Sequence, residues 1–281
     1  MKLGTYLTGD GPRAVALQGE QLVELGQSLR ELLAGGPEAL DRAHAASGAG
    51  HQLAYERLGP AVADPGKVLC IGRNYVEHAG ELGNQTSAGP EVFLRSRTSL
   101  AGPGHAIAQP RVSDQMDWEV ELAAVIGRPG RYIAAEHALD HVAGYCVFND
   151  ISLRDFQNAG KQWTPGKNFD GTGPLGPFLV TADEVPHPFD LPLTCKIVEP
   201  DGSERVVQRS NTSLMVHKLP EIIAFLSLFT TLEAGDVIAT GTPGGVGLGR
   251  QPPEFLRPGQ LLVSAIEGLG ELRNPIVTEA D

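Results

Sequence analysis

The chain lacks most features that would send it to a membrane, to the exterior or to nucleic acid. Its three cysteines, Cys70, Cys146 and Cys195, fall singly in apolar stretches with no CxxC spacing. Core packing in a reducing cytoplasm is therefore expected, rather than zinc, redox chemistry or a disulfide framework. The opening MKLGTYLTGDGPR reaches polar turn residues before any apolar run builds up, so no secretory signal is expected. No run approaches the ~18 apolar residues of a membrane span, since EIIAFLSLF at 221–229 is about half that. Positive charge is short as well: 22 Lys+Arg against 34 Asp+Glu leave a net −12. Without a basic patch to displace counterions from a phosphate backbone, nucleic acid is a poor partner.

Several active-site signatures are missing too. There is no G-x-S-x-G elbow, which removes the commonest serine hydrolase reading. PGK occurs at 65–67 and 165–167 with no Ser or Thr after either lysine, and TGTPGGVGLG (240–249) runs into RQPPEFLRPG, which cannot open a regular helix. Neither a phosphate loop nor a dinucleotide fingerprint is supported. In EHALDH (136–141), His137 and His141 stand four apart without a third soft ligand, which reads as a solvated helix rather than a zinc pair. No internal repeat or low-complexity tract is present.

What is abundant is glycine and proline, 35 and 21 of 281 residues, without a repeat period, which points to many turns and short strands. Residues 1–25 read as short strands broken by GDGPR and QGEQ. Residues 26–48 carry a helical pattern interrupted at Gly35-Gly36-Pro37. From Val68 onward short apolar or alternating runs (VLCIG, VFLRS, EVELAAVIG, GYCVFND, PLTCKIVE, DVIATG, LLVSAIEG) alternate with Gly, Pro and Asp clusters. The clearest helix is 218–229, starting near Pro220, and a shorter one, 74–83, stops at a glycine. The expected architecture is α+β and β-rich, with a small N-terminal domain at 1–65 and a larger one at 66–281.

The strongest chemical signal is DWEVELAAVIG (117–127). Glu119 and Glu121 stand two apart at the head of an apolar strand, and period two puts both carboxylates on one face. AGYCVFND (143–150) repeats the design and ends in Asp150. Three carboxylates at neighbouring strand ends repel one another unless a hard cation lies between them, and an all-oxygen set suits Mg²⁺ or Mn²⁺. The competing reading makes Glu119 and Glu121 the solvated face of an ordinary strand and Asp150 a helix N-cap. On spacing alone the two are about evenly matched.

DWEVEL, GYCVFNDISLRDFQ, KQWTPGKNFD, PLGPFLVTADEV, LEAGDVIATGTPGGVG and LRPGQLLVSAIEGLGELRN occur in the order seen in the fumarylacetoacetate hydrolase family, which this chain resembles over about 70–275. QPPEFLRPGQ and IEGLGE look most like its branch of 2,4-diketo-3-deoxy sugar acid (L-fuconate or L-rhamnonate) hydrolases and ureidoglycolate-lyase-like proteins. The resemblance implies a mixed β-roll of the fumarylacetoacetase C-terminal type beside the small α/β module, and a homodimer. It assigns Glu119, Glu121 and Asp150 to one Mg²⁺ or Mn²⁺. Three carboxylates leave about three octahedral positions open, suited to a small 2-oxo acid chelated through its carboxylate and keto oxygens, and to stabilising an enolate.

Hydrolysis also needs a base for water. His78 and Glu81, three apart in NYVEHAGELG, can face each other on one helical turn, where the carboxylate would orient the imidazole. The resemblance makes this H-x-x-E pair, on a lid segment, the water-activating dyad of the family's hydrolytic members; the plainer reading is a surface ion pair. It also carries over Lys167, Arg154, Gln157 and Thr242. The two cations would neutralise substrate carboxylate or oxyanion charge, while Gln157 and Thr242 would orient the substrate by hydrogen bonds. In plainer terms, Arg154 pairs with Asp155 or Asp150 and Thr242 only shapes the turn before Pro243. One departure stands out: FLRSR places Arg95 where many relatives have lysine, which keeps the charge but removes a group able to serve as a neutral base.

The reading expected from this set is a metal-dependent hydrolase of an acylpyruvate-type 2,4-dioxo acid. A decarboxylase of oxaloacetate or a 2-hydroxyhepta-2,4-diene-1,7-dioate isomerase would use the same enolate. A non-catalytic metal-binding protein is the rival from outside enzymology.

Overall fold

The computed structural model describes residues 1–48, 50–81 and 88–280. In chain order its strands and helices are β1 (Lys2–Thr8), β2 (Gly11–Gln18), β3 (Gln21–Glu24), α1 (Leu29–Ala34), α2 (Gly36–Ala45), β4 (Gly50–Gln52), β5 (Val68–Gly72), α3 (Val76–Glu81), β6 (Glu91–Arg95), β7 (Leu100–Ala101), β8 (Ile107–Gln109), β9 (Met116–Asp117), β10 (Val120–Ile126), β11 (Val142–Asn149) and β12 (Ser152–Leu153). They continue with α4 (Arg154–Asn158), α5 (Thr164–Lys167), β13 (Gly173–Thr181), β14 (Pro192–Val198), β15 (Glu204–Asn211), α6 (Leu219–Phe229), β16 (Val237–Ala239), β17 (Leu261–Ile266) and β18 (Gly270–Thr278). The chain is α+β and β-rich, and none of the described helices is long and apolar enough to cross a membrane.

A large mixed sheet runs β4-β3-β2-β1-β13-β11-β10-β16-β5-β6, and a second sheet runs β15-β14-β17-β18-β8. Strands β10 and β13 are buried along their whole length. Both faces of the large sheet are covered there, which is why VELAAVI reads as a continuous apolar run rather than an alternating one. Leu122, Ala124 and Ile126 pack with Leu193, Ile197, Leu262 and Leu272 of the second sheet. Ala123 and Val125, on the other face, pack with Leu3, Ala16, Leu29, Leu32 and Leu33. By contrast β14 alternates between buried and half-buried residues, as expected for a strand with one covered face.

The helical pattern after residue 26 is two helices. Ser28 and Glu31 form a capping box on α1, and the break falls at Gly35-Gly36, where Gly36 takes φ 67°. The first 65 residues share both sheet and core with the rest: β1 pairs antiparallel with β13, Lys2 opposite Val180. Helix α6 buries Leu219, Ile222, Ile223 and Leu226 at helical spacing. The EHALDH segment is a 3-10 helix with an exposed His137–Asp140 ion pair. Helix α3 begins at Val76, and its expected stop at Gly83 lies outside the described residues.

Candidate metal centre and active site

Strand register assembles the carboxylates. In the β10–β11 ladder Val120 faces Asn149 and Glu121 faces Phe148, and the Asp150 amide donates to the Glu119 carbonyl at 2.8 Å. Glu119 and Asp150 are thus opposite each other, with Glu121 two residues along on the same face. One oxygen from each of the three lies within 4.8 Å of the others, and all three residues are buried.

Around them stands a shell of buried cations. Lys167 Nζ, at the end of α5, bonds Glu119 Oε2 at 2.8 Å and Asp150 Oδ2 at 2.6 Å. Arg154, opening α4, donates from Nε to Asp117 Oδ2 at 2.8 Å and from Nη1 to Gln157 Oε1 at 2.8 Å. Its Nη2 forms an ion pair with Glu119 Oε1 at 2.7 Å. The partners of Arg154 are therefore Asp117 and Glu119, not Asp155 or Asp150. Arg95 is fully buried and pairs with Asp150, so it serves as that carboxylate's counter-ion. Thr242 Oγ1 donates to the Val120 carbonyl at 3.0 Å and accepts from Gln208 at 2.8 Å.

The charges do not balance. Asp117, Glu119, Glu121 and Asp150 are four buried acids against the three buried cations Arg95, Arg154 and Lys167. Burial alone would raise the Glu119 pKa, but Lys167 and Arg154 outweigh it and hold the carboxyl at about 2. Burial lowers the Lys167 pKa, and the attraction of Asp150 and Glu119 more than reverses that, so it is an ammonium. Glu121 has no cation bonded to it, and Lys167 attracts it only from a distance. Among the described residues its one hydrogen bond comes from the Gly241 amide at 2.8 Å. Burial first, then Asp150 and Glu119, push its pKa well above the usual carboxylate range. A divalent cation fits this deficit: the donors are all carboxylate oxygens, each with a spare lone pair, and Mg²⁺ or Mn²⁺ prefers such a set.

The glycine-rich segment 240–249 has its own role. It holds no helix, and its amides are aimed at acids of the protein: Gly241 at Glu121, Gly245 at Glu81, Gly247 and Leu248 at Asp117. Gly241 and Gly245 sit at φ 96° and 99°, a region side chains resist. A Cβ at Gly247 would lie 1.9 Å from the Glu254 carbonyl.

His78 is buried, and among the described residues its Nδ1 has no hydrogen-bond partner. Burial lowers its pKa to about 4, so the ring is neutral at pH 7. Glu81 does not pair with it here: both Glu81 oxygens accept from the Gly245 amide, at 2.7 and 2.9 Å. Partial burial raises the Glu81 pKa. In place of the expected His78–Glu81 contact, Glu81 is engaged by a backbone amide of the loop.

These groups open onto one cavity of about 220 Å³, lined by Glu119, Glu121, Asp150, His78, Lys167, Arg154, Gln157 and Thr242, with Arg73, Phe93 and Trp163 on its walls. It is below the ~300–1,000 Å³ of drug-sized sites, as suits a small metabolite. Of the nine site residues expected from the sequence, eight line this cavity; Glu81 does not, its carboxylate being taken by the Gly245 amide. Asp117, which anchors Arg154, went unremarked although it opens the DWEVEL motif, and so did Arg73 in GRNY.

The fumarylacetoacetate (FAA) hydrolase C-terminal family model matches residues 67–277. The chain is 42% identical over 254 residues to a mitochondrial oxaloacetate tautomerase of Xenopus laevis, covering 89% of this chain and 78% of that one. It is 45% identical over 218 residues to an oxaloacetate tautomerase of Homo sapiens, covering 77% and 68%. A fumarylacetoacetate hydrolase structure from Exiguobacterium antarcticum matches with a TM-score of 0.84 at 33% identity, over 99% of this chain and 100% of that one. A 2-hydroxyhepta-2,4-diene-1,7-dioate isomerase from Mycobacterium marinum matches with a TM-score of 0.77 at 32% identity, over 100% of both chains.

Proposed function

Since this chain belongs to the fumarylacetoacetate hydrolase family, we propose that it is a Mg²⁺- or Mn²⁺-dependent enzyme interconverting the keto and enol forms of a 2-oxo dicarboxylic acid of the oxaloacetate kind. The observation that carries this is the buried Glu119–Glu121–Asp150 cluster, which together with Asp117 is one positive charge short, with a neutral imidazole on the same cavity. The identity with two oxaloacetate tautomerases over most of the chain supports the substrate class.

A cation held by the three carboxylates would supply Lewis acidity to the 2-oxo group. The chain supplies the rest. Lys167 and Arg154 offset the negative charge that builds up on oxygen, and being fixed by Glu119 and Asp117 they need little reorganisation. His78 is the proton carrier: its uncharged ring accepts the C3 proton, leaving an enolate, and the imidazolium then gives the proton to the enolate oxygen to form the enol or back to C3 to re-form the ketone. Gln157, held by Arg154 through its Oε1, turns its amide N–H donors to the carboxylate end, while Thr242, whose hydroxyl proton goes to the Val120 carbonyl, shapes the cavity wall. No water need be activated in this reaction, consistent with Glu81 being engaged by Gly245.

The second reading is hydrolysis of an acylpyruvate-type 2,4-dioxo acid to pyruvate and a carboxylic acid, favoured by His78 and Glu81 lying three apart on α3. The two are separated by incubating protein and Mn²⁺ with oxaloacetate and with a 2,4-dioxo acid. Accelerated decay of the oxaloacetate enol without pyruvate release supports tautomerisation. Pyruvate release from the dioxo acid, with no effect on the enol, supports hydrolysis. No turnover of either, with metal retained after mild chelation, points to a non-catalytic metal protein. The homodimer belongs to the same proposal, and exposed Leu94 on the sheet-edge strand β6 supports it.

A further inference from the structure

Arg73 is a non-glycine residue held at φ 51° at the end of β5, on the wall of the active-site cavity. A bulky residue in left-handed backbone is strained and persists where the surroundings impose it, often at functional sites. Here they do. The guanidinium lies over the Trp163 ring at 5.5 Å. That ring lies so close to the strand that a Cβ on Gly72 would meet it at 2.2 Å.

Two features set Arg73 apart from the other cavity cations. Lys167 and Arg154 are buried among the carboxylates of the metal cluster. Arg73 is held at some remove from them: Lys167 Nζ lies over the Phe93 ring at 5.1 Å, Phe93 meets Trp163 edge-on at 5.6 Å, and Arg73 stacks on Trp163. Among the described residues its only ion pair is with Glu91, which takes Nε at 2.7 Å and one Nη2 proton at 2.5 Å. Guanidinium carries five N–H donors. Among the described residues, both protons of Nη1 and one of Nη2 have no acceptor.

We propose that Arg73 is the specificity-determining residue for the second carboxylate of the substrate, so that the cavity grips a 2-oxo dicarboxylate at both ends and discriminates against the matching monocarboxylate. This rests on the 2-oxo acid reading above and deepens it. A carboxylate meeting two free donors of a stacked, pre-oriented fork gains charge-assisted bonds that an alkyl end cannot make, a difference of about 10–100-fold in affinity.

The test uses the full chain with Mn²⁺ and two matched pairs: oxaloacetate against 2-oxobutanoate, and 2-oxopentanedioate against 2-oxopentanoate. Binding is measured by calorimetry and C3 hydrogen exchange in D₂O by NMR. The variant is Arg73→Asn, because asparagine tolerates left-handed backbone and removes the charge without adding strain. The expected result is a diacid preference in at least one pair that falls about tenfold or more in Arg73→Asn and only partly in Arg73→Lys. A wild type with no preference in either pair, or a preference unchanged in Arg73→Asn, overturns the proposal. If Arg73→Asn does not fold, Glu91→Gln decides: freeing the fork should tighten diacid binding several-fold, and no gain overturns the proposal. Loss of the binding preference in Arg73→Asn, with no exchange catalysed by the wild type, would uphold this role for Arg73 while sinking tautomerisation. Catalysed exchange with no preference would do the reverse.

Discussion

Replacing Glu121 by glutamine should stabilise the metal-free protein and abolish its response to metal. Glu121 is a buried carboxylate whose near neighbours in the cluster are Glu119 and Asp150, with ligand oxygens within 4.8 Å, and whose one hydrogen bond is from Gly241. At an effective dielectric near 20, each fully ionised pair at that separation repels by about 3 kcal/mol. Attraction to Lys167 and partial protonation reduce this, leaving a gain of about 1–3 kcal/mol for a neutral amide that still accepts the Gly241 bond. The metal effect has the opposite sign. A cation at about 100 times its dissociation constant stabilises the wild type by about 2.7 kcal/mol. For a chain of this size, that is a rise in Tm of roughly 5–10 °C. Melting curves with EDTA and with Mn²⁺, for wild type and Glu121→Gln, read both. If the variant melts lower than wild type in EDTA and keeps its full rise with Mn²⁺, the charge deficit has been wrongly located.

The pH dependence of stability should carry the signature of His78. Its folded pKa, about 4, lies below the unfolded value near 6.5. Between these values the unfolded chain binds more protons, so stability is complete above about pH 6.5 and falls by up to about 3 kcal/mol as pH drops toward 4. Urea denaturation from pH 4 to 8 should show this slope in wild type and a shallower one in His78→Phe; equal slopes would refute it. Arg154→Met strands Asp117 and Glu119 without their shared cation and should cost about 3–5 kcal/mol in urea unfolding, against much less for Arg154→Lys. A chain of residues 66–281 uncovers Ala123, Val125, Cys146 and Leu179, which pack on Leu3, Leu29 and Leu32. It should bind a hydrophobic dye and aggregate on a sizing column, whereas a monodisperse folded species would show that 66–281 stands alone.

The three clustered carboxylates were legible because they obey a local rule. E-x-E at a strand head needs only period two to share a face, and the order of apolar runs placed Asp150 on the neighbouring strand. Arg95 and Asp117 were not legible in role, because their partners are distant in sequence: Arg95 meets Asp150, and Asp117 meets Arg154 and the amides of Gly247 and Leu248. The glycine-rich segment has no helix behind it, and its amides meet Glu121, Glu81 and Asp117. Its actual work is the physics of a phosphate loop turned inward, since its amides serve carboxylates of the chain itself. The pairing of β1 with β13 was likewise out of reach, because nothing in KLGTYLT specifies a partner at Val180.

The arginine at position 95 shows why substitution by type misleads at such a site. Read as a lysine replaced, it looked like a lost proton carrier. Its guanidinium in fact reaches Ser99 Oγ at 3.1 Å, the Ile151 carbonyl at 3.2 Å and Thr172 Oγ1 at 2.7 Å as well as Asp150. An ammonium has three donors radiating from one atom and cannot span groups so far apart, whereas the planar fork can. Arg95 therefore ties β6, the turn after it and the β11–β12 connection to the ligand Asp150. Together with Lys167 it leaves Glu121 as the one acid of the cluster without a cation. The placement of arginine at 95, rather than the acids alone, thus fixes where the charge deficit falls.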